Sequence, residues 1–494
     1  MVIAHLLAKY FLVAALSIVA VDYVSAQIII VPATGRLFTV NDTSDSSDAV
    51  PGDLSCADAD GRCTLRAAIQ EVNAAPEVRR DVINFVLPQQ AVIDLTQGEL
   101  SVTARFVTVV GPGARRLTIR RSSAASNFRI FNLAGGQNLY VIRGLTIANG
   151  SGGSEPGGGA IRVGSGANLT LTEATVTGNG AANGGGIFNE GTMEITRSVF
   201  AGNSAAGQGS GIFFGQGGAI FNAPGSHVRI SNTTITSNSG VVGGAIYNHG
   251  TLTLANDTVS HNSTSASAAA IHNTPSGTVN PINTIIAANG SATITALSGS
   301  FTSFGNNLVT DARNSSGFVN GVMNDKVSNN DAIDAGLGPL ADNGGPTDTR
   351  ALLTGSPAID AGNGCVFNGQ CNLPQTSPPG APLRLMSDQR REFLRQGLSF
   401  GGSGSAVDIG AFEAGAPMFA SSASFGNFGF PRPGRLVGTA VFISAATGEK
   451  SYRPINPFGA FKFQTAEGDG IYVLDYNTKR IPKPAPQVID LRLF

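Results

Sequence analysis

One stretch of this chain repeats itself five times, and that repetition constrains the fold more than any other feature. The units read GGAIRVGSGANLTLTEATVTGN (158–179), GGGIFNEGTMEITRSVFAGN (184–203), GGAIFNAPGSHVRISNTTITSN (217–238), GGAIYNHGTLTLANDTVSHN (243–262) and a decayed AAAIHNTPSGTVNPINTIIAAN (268–289). The period is about 25 residues, with one longer insertion through SAAGQGSGIFFGQ, which is the signature of a solenoid. Inside each unit, runs such as TLTL and TVT alternate with a period of two and are broken by Gly or Asn. That is strand periodicity, not helix periodicity. Three short strands per coil, stacked coil on coil, predict a parallel β-helix with equivalent residues in columns along its axis.

Those columns can be read directly. Ile161, Ile187, Ile220, Ile246 and Ile271 form an aliphatic stack, with Phe188, Phe221, Tyr247 and His272 in the next column. Two Asn ladders are expected: Asn189, Asn222, Asn248 and Asn273, and Asn179, Asn203, Asn238, Asn262 and Asn289. Asn tolerates left-handed turns, and stacked amides can hydrogen-bond along a column. Leu252 and Leu254 should point inward, while Thr251 and Thr253 face water. Upstream, Leu65, Ala68, Ile69 and Val72 fall on one helical face, as expected of an amphipathic helix capping the open first coil.

Charged residues are only 13% of the chain and the formal net charge is -1, so overall charge gives no case for nucleic acid or an anionic membrane as partner. His5 and Lys9 precede an apolar FLVAALSIVAV and a small-residue site at Ser25–Ala26, so residues 1–26 read as a signal peptide. No later segment is apolar enough to span a bilayer, and export to the cell surface or medium is expected. Cys56 pairs locally with Cys63, and Cys365 with Cys371. An oxidising compartment favours two disulfides over zinc at these spacings. The expected domains are a β-helix with its cap and a loop-rich tail over 27–415, a linker over 416–433, and a lysine-richer small β-sandwich over 434–494.

CTLRAAIQEVNAA resembles the CSLREA motif that opens bacterial right-handed parallel β-helix proteins, with Thr64 for Ser and Ala67 for Glu. The GGAI and FxxN signatures resemble polymorphic outer-membrane-protein repeats. DNGGPTDTRALL, GSPAIDAGN and VDIGAFE are similar to the choice-of-anchor Q region. NPFGAFKF resembles carboxypeptidase-regulatory-like sandwiches. The resemblance implies an all-β, right-handed, pectin-lyase-like solenoid and leaves activity open, because that fold hosts lyases, hydrolases and adhesins.

For chemistry, the repeats offer few acids: Glu155, Glu173, Glu190, Glu194 and Asp257. Glu173 stacked on Arg197 is the best candidate catalytic neighbourhood for a lyase or hydrolase. Its plainer reading is a cross-strand ion pair. Asp58 and Asp60 in DADG suit calcium, but the bidentate Glu of an EF-hand loop is absent, so a disulfide-closed surface loop is the better reading and no cofactor is required. His227, His249, His261 and His272 fall at different corners, and Thr pairs such as Thr175–Thr177 and Thr234–Thr236 face outward. Asp360, Asp388 and Asp408 read as turn residues. The expected function is non-enzymatic binding of extracellular glycans or surface proteins through a weakly charged Ser/Thr/Asn surface. A polysaccharide lyase or glycoside hydrolase working in a groove along the helix is the alternative.

Overall fold

The structure is a computed structural model. It describes residues 35–75, 79–152, 157–206, 215–291, 293–368 and 407–414, a few positions between 370 and 390, and the strands Gln27–Ile29, Gly438–Ser444, Lys450–Ile455 and Gly470–Tyr476. The expected signal peptide and the expected linker lie outside the described residues, as does Glu155.

The chain is a parallel β-helix. One coil runs through Ile161–Val163, Asn168–Thr172, Thr175–Thr177 and a short Gly180–Ala181, and each of these strands pairs in parallel with its counterpart one repeat later. The coils therefore build three long faces, with nine, nine and ten strands among the described residues, and a short four-stranded strip. We call them the aromatic face (Ile161–Val163 and equivalents), the long-strand face (Asn168–Thr172 and equivalents) and the threonine face (Thr175–Thr177 and equivalents). The register matches the sequence columns residue for residue: Ile187↔Ile220, Phe221↔Tyr247, Asn222↔Asn248.

Alternation places Leu169, Leu171, Val176, Ile187, Ile230, Leu252 and Leu254 in a core where each is at most 1% exposed. Each such burial is worth roughly 1.5–3 kcal/mol. Glycine before each Ile lets neighbouring coils approach: a Cβ on Gly218 would collide with the carbonyl oxygens of Gly244 and Ser239. The helix Leu65–Asn73 lies against the first coils. Thr64 caps it by accepting from the Ala67 amide at 3.0 Å, and its Leu65, Ala68, Ile69 and Val72 are at most 2% exposed. Glu71 on the same helix is fully buried and accepts from the amides of Gly52 and Leu54, pinning the preceding loop.

After the last regular coil, a hairpin of Leu337–Ala341 and Thr349–Leu352 begins a segment that folds back along the threonine face. Thr234 Oγ1 donates to Gln389 Oε1 (2.7 Å), Thr236 Oγ1 accepts from Arg350 Nε (3.0 Å), and Thr258 Oγ1 accepts from the Ala411 amide (3.1 Å). Farther along, Ile285, Ala287 and Leu308 pack with Leu352, Ala358 and Ile409. We call this segment the strap. Asp388 and Asp408 knit it together: Asp388 binds Arg390, and Asp408 accepts from the Asp360 and Ala414 amides.

The strap corrects one expectation. The outward Thr234, Thr236, Thr258 and Ser260 do not form an open polar surface, because each is at most 1% exposed. Thr253 is likewise outward but only 1% exposed, while Val366 and Leu385 pack on Ala255 and Ile282 of the same face. Both disulfides, Cys56–Cys63 and Cys365–Cys371, are formed.

A second unit carries Gly438–Ser444, Lys450–Ile455 and Gly470–Tyr476 as an antiparallel sheet, and Gln27–Ile29 pairs at the edge of Gly470–Tyr476.

Candidate functional site

The two Asn ladders form as the columns require. Asn203 Nδ2 and its backbone amide both donate to Asn238 Oδ1 (2.9 and 3.0 Å), and Asn238 repeats the pattern onto Asn262. On the aromatic face Asn222 Nδ2 donates to Asn248 Oδ1 at 2.7 Å, and Asn248 to Asn273 at 2.8 Å. All nine Asn are at most 2% exposed, so their hydrogen-bonding capacity is spent inside the fold.

A third ladder was not read as one in the sequence. At the corner after the long-strand face, Ser198, Thr233, Asp257 and Thr284 stack. Each hydroxyl donates to the carbonyl two residues back, and those of Ser198 and Thr233 also accept an amide from the preceding coil. Asp257 takes the same position with a carboxylate that accepts from the Thr233 and Ala255 amides (2.9 Å each) and is fully buried. Burial pushes its carboxyl well above the usual range, against the pull of those two amides. The alignment of Asp257 with Ser198 and Thr233 carried the signal, a column of small side-chain oxygens rather than of acids.

Arg197 and Glu173 do meet: Arg197 Nε donates to Glu173 Oε1 at 3.1 Å. Both sit at positive φ in the same corner column as Asn232, Asn256 and Asn283. The Glu173 side chain is 5% exposed, and Thr347 of the strap donates to the Arg197 carbonyl. The pair is thus an ion pair at a covered corner. At DADG, Arg62 reaches both Asp58 Oδ2 (2.9 Å) and Asp60 Oδ2 (2.7 Å), so a guanidinium stands between the two carboxylates. Asp58 also accepts from the Asp60 and Arg62 amides, and these bonds, the Arg62 amide foremost, hold its carboxyl at about 2. Among the described residues no cluster of His, Cys, Asp and Glu is arranged to hold a metal ion.

The outer surface of the aromatic face gathers the remaining chemistry. Phe188 stacks on Phe221 with centroids 4.7 Å apart, Phe221 on Tyr247 at 5.5 Å, and Tyr247 on His272 at 4.8 Å. Their faces cover one another, so the ring edges point outward, where the quadrupole is positive. His249 meets Tyr247 edge-on at 5.0 Å, and its Nδ1 lies 3.1 Å from Thr274 Oγ1. Burial lowers the pKa of both His249 and His272, for His272 with help from the neighbouring His249, so both favour the neutral form. Buried Nδ1 of His272 has no hydrogen-bond partner. On the N-terminal side the column passes into Arg162, which binds Glu190 at 2.6 Å, and Arg129 binds Glu99 at 2.9 Å. His261 lies apart, exposed at the corner after the threonine face, and His227 lies on the long-strand face. The result is a continuous row of aromatic edges ending in alternating charges.

Compared with known protein families, curated proteins and solved structures, the chain matches none.

Proposed function

We propose that this chain is an exported β-helix protein that binds an extracellular glycan or surface protein along the aromatic face without turning it over. The observation that carries this reading is the column Phe188–Phe221–Tyr247–His272 with Arg162–Glu190 at its end. It offers a rigid, repeated row of ring edges, with Phe221 and Tyr247 each 8% exposed, of the kind that suits many modest interactions with an extended ligand. Two disulfides suit an oxidising compartment. The strongest catalytic pair, Glu173–Arg197, is engaged with itself at a covered corner, where a general base would be poorly placed to reach a polymer.

A panel of acidic and neutral polysaccharides, incubated with the mature protein with and without calcium, tests the reading. Binding without new reducing ends or unsaturated products, weakened at least about tenfold by Tyr247→Ala, is expected. Products that disappear with Glu173→Ala or Glu190→Gln would replace it with the lyase or hydrolase reading.

A further inference from the structure

The first coils of the long-strand face carry a charge pattern that the repeats do not share. Parallel register puts Arg80, Phe106 and Leu139 in one outward column, with Arg143 at the far end of the Leu139 strand. The Arg80 guanidinium lies 4.4 Å from the Phe106 ring centroid, and that of the exposed Arg105 lies 5.2 Å from the same centroid. The two like charges are therefore within about 10 Å of each other. Neither, nor Arg143, forms an ion pair among the described residues, and Arg143 Nε is buried without any partner. Across the outward positions of this face from residue 80 to residue 282 the single carboxylate is Glu194, which lies 3.8 Å from Arg229, coils away from the cluster. Elsewhere the arrangement differs: Arg120 is answered by Asp94, Arg129 by Glu99 and Arg162 by Glu190.

The ring holds both guanidiniums but neutralises neither, and no carboxylate among the described residues pairs with them, so the arrangement favours an anion brought from outside. A single carboxylate is spanned by one guanidinium fork, whereas two forks suit phosphate oxygens presented in more than one direction. Beside the charges, Leu139 is 40% exposed and Phe106 half-buried, which puts apolar contact at the same level as the cations. Cations and apolar side chains on one surface match the boundary between headgroup and acyl chain.

We propose that Arg80, Arg105, Phe106 and Leu139 form a docking site for the phosphate headgroups of an anionic lipid surface. It is separate from the aromatic face and does not depend on the binding reading above. The chain's net charge of -1 makes the attraction local, so it should fade as added salt screens it.

The test is co-sedimentation of the full mature protein with phosphatidylcholine vesicles, with and without phosphatidylglycerol. Arg80→Gln/Arg105→Gln is compared with Arg120→Gln, a charge loss on another face, after circular dichroism and thermal midpoints show that both variants fold. Binding only to the anionic vesicles, lowered roughly 25-fold by the double variant at about fivefold per guanidinium, and unchanged in Arg120→Gln, is expected. Leu139→Ser should weaken it further. Equal binding to neutral vesicles, equal binding by the double variant, or stabilisation by inorganic phosphate with no vesicle binding would each overturn the proposal.

Discussion

Asp257 is the residue at which the repeat departs most from its own rule. Its neighbours in the column, Ser198, Thr233 and Thr284, each donate a hydroxyl to a carbonyl, and Ser198 and Thr233 also accept an amide, while a carboxylate can only accept. The folded-state pKa is raised, so the protonated form is favoured in the fold. Stability linked to this group is therefore complete below the ordinary carboxylate range and is lost as pH rises through the raised value. Asp257→Thr restores the column's hydroxyl, and should stabilise the protein by about 1–3 kcal/mol at alkaline pH. The gain should shrink on acidification, and denaturant midpoints across a pH series measure it. Asn238→Ala tests the neighbouring ladder. It removes the acceptor of both the Asn203 amide and its side chain, so a loss of roughly 2–5 kcal/mol in the same assay is expected.

At the scale of elements, the columns were legible because parallel stacking turns sequence period into spatial register. Ile, Asn and aromatic positions read from five aligned units are the pairs seen in space. The strap was not legible, since its contacts have no period: Gln389 reaches Thr234 and Ser198, 155 and 191 residues away. The Thr column therefore looked like open surface when it is a docking seam. Gln389 is fully buried and also donates to Thr347 Oγ1 and the Asp348 carbonyl of the strap, so it ties the strap to itself as well as to two coils. Gln389→Ala should leave the β-sheet signal unchanged but speed proteolysis within 340–414. A cleavage rate equal to that of the unaltered protein would show that the apolar contacts at Ile285, Leu308 and Ile409 hold the strap alone. The Arg80–Arg105 pair was hidden for a related reason. It lies in early coils that do not share the repeat, and a near-neutral net charge conceals it.

At the scale of the whole molecule, each coil contacts its neighbours and little else, so stability should be close to additive along the axis. The strap is the exception. It touches Arg115 through Gly345 and Asp348, Arg197 through Thr347, Thr258 through Ala411, and Asn283 through Gly410. Its anchor points are fixed by its own length, and theirs by the number of coils between them. Because every unit obeys the same stacking rule, a free solenoid would absorb the loss or gain of a coil. Here the strap acts as a gauge. Excising residues 243–267 leaves the stacking rule intact yet brings Gln389 opposite the wrong coil. Such a variant should keep its β-sheet signal while its 340–414 region becomes protease-sensitive. A repeat array built this way carries its own check on length.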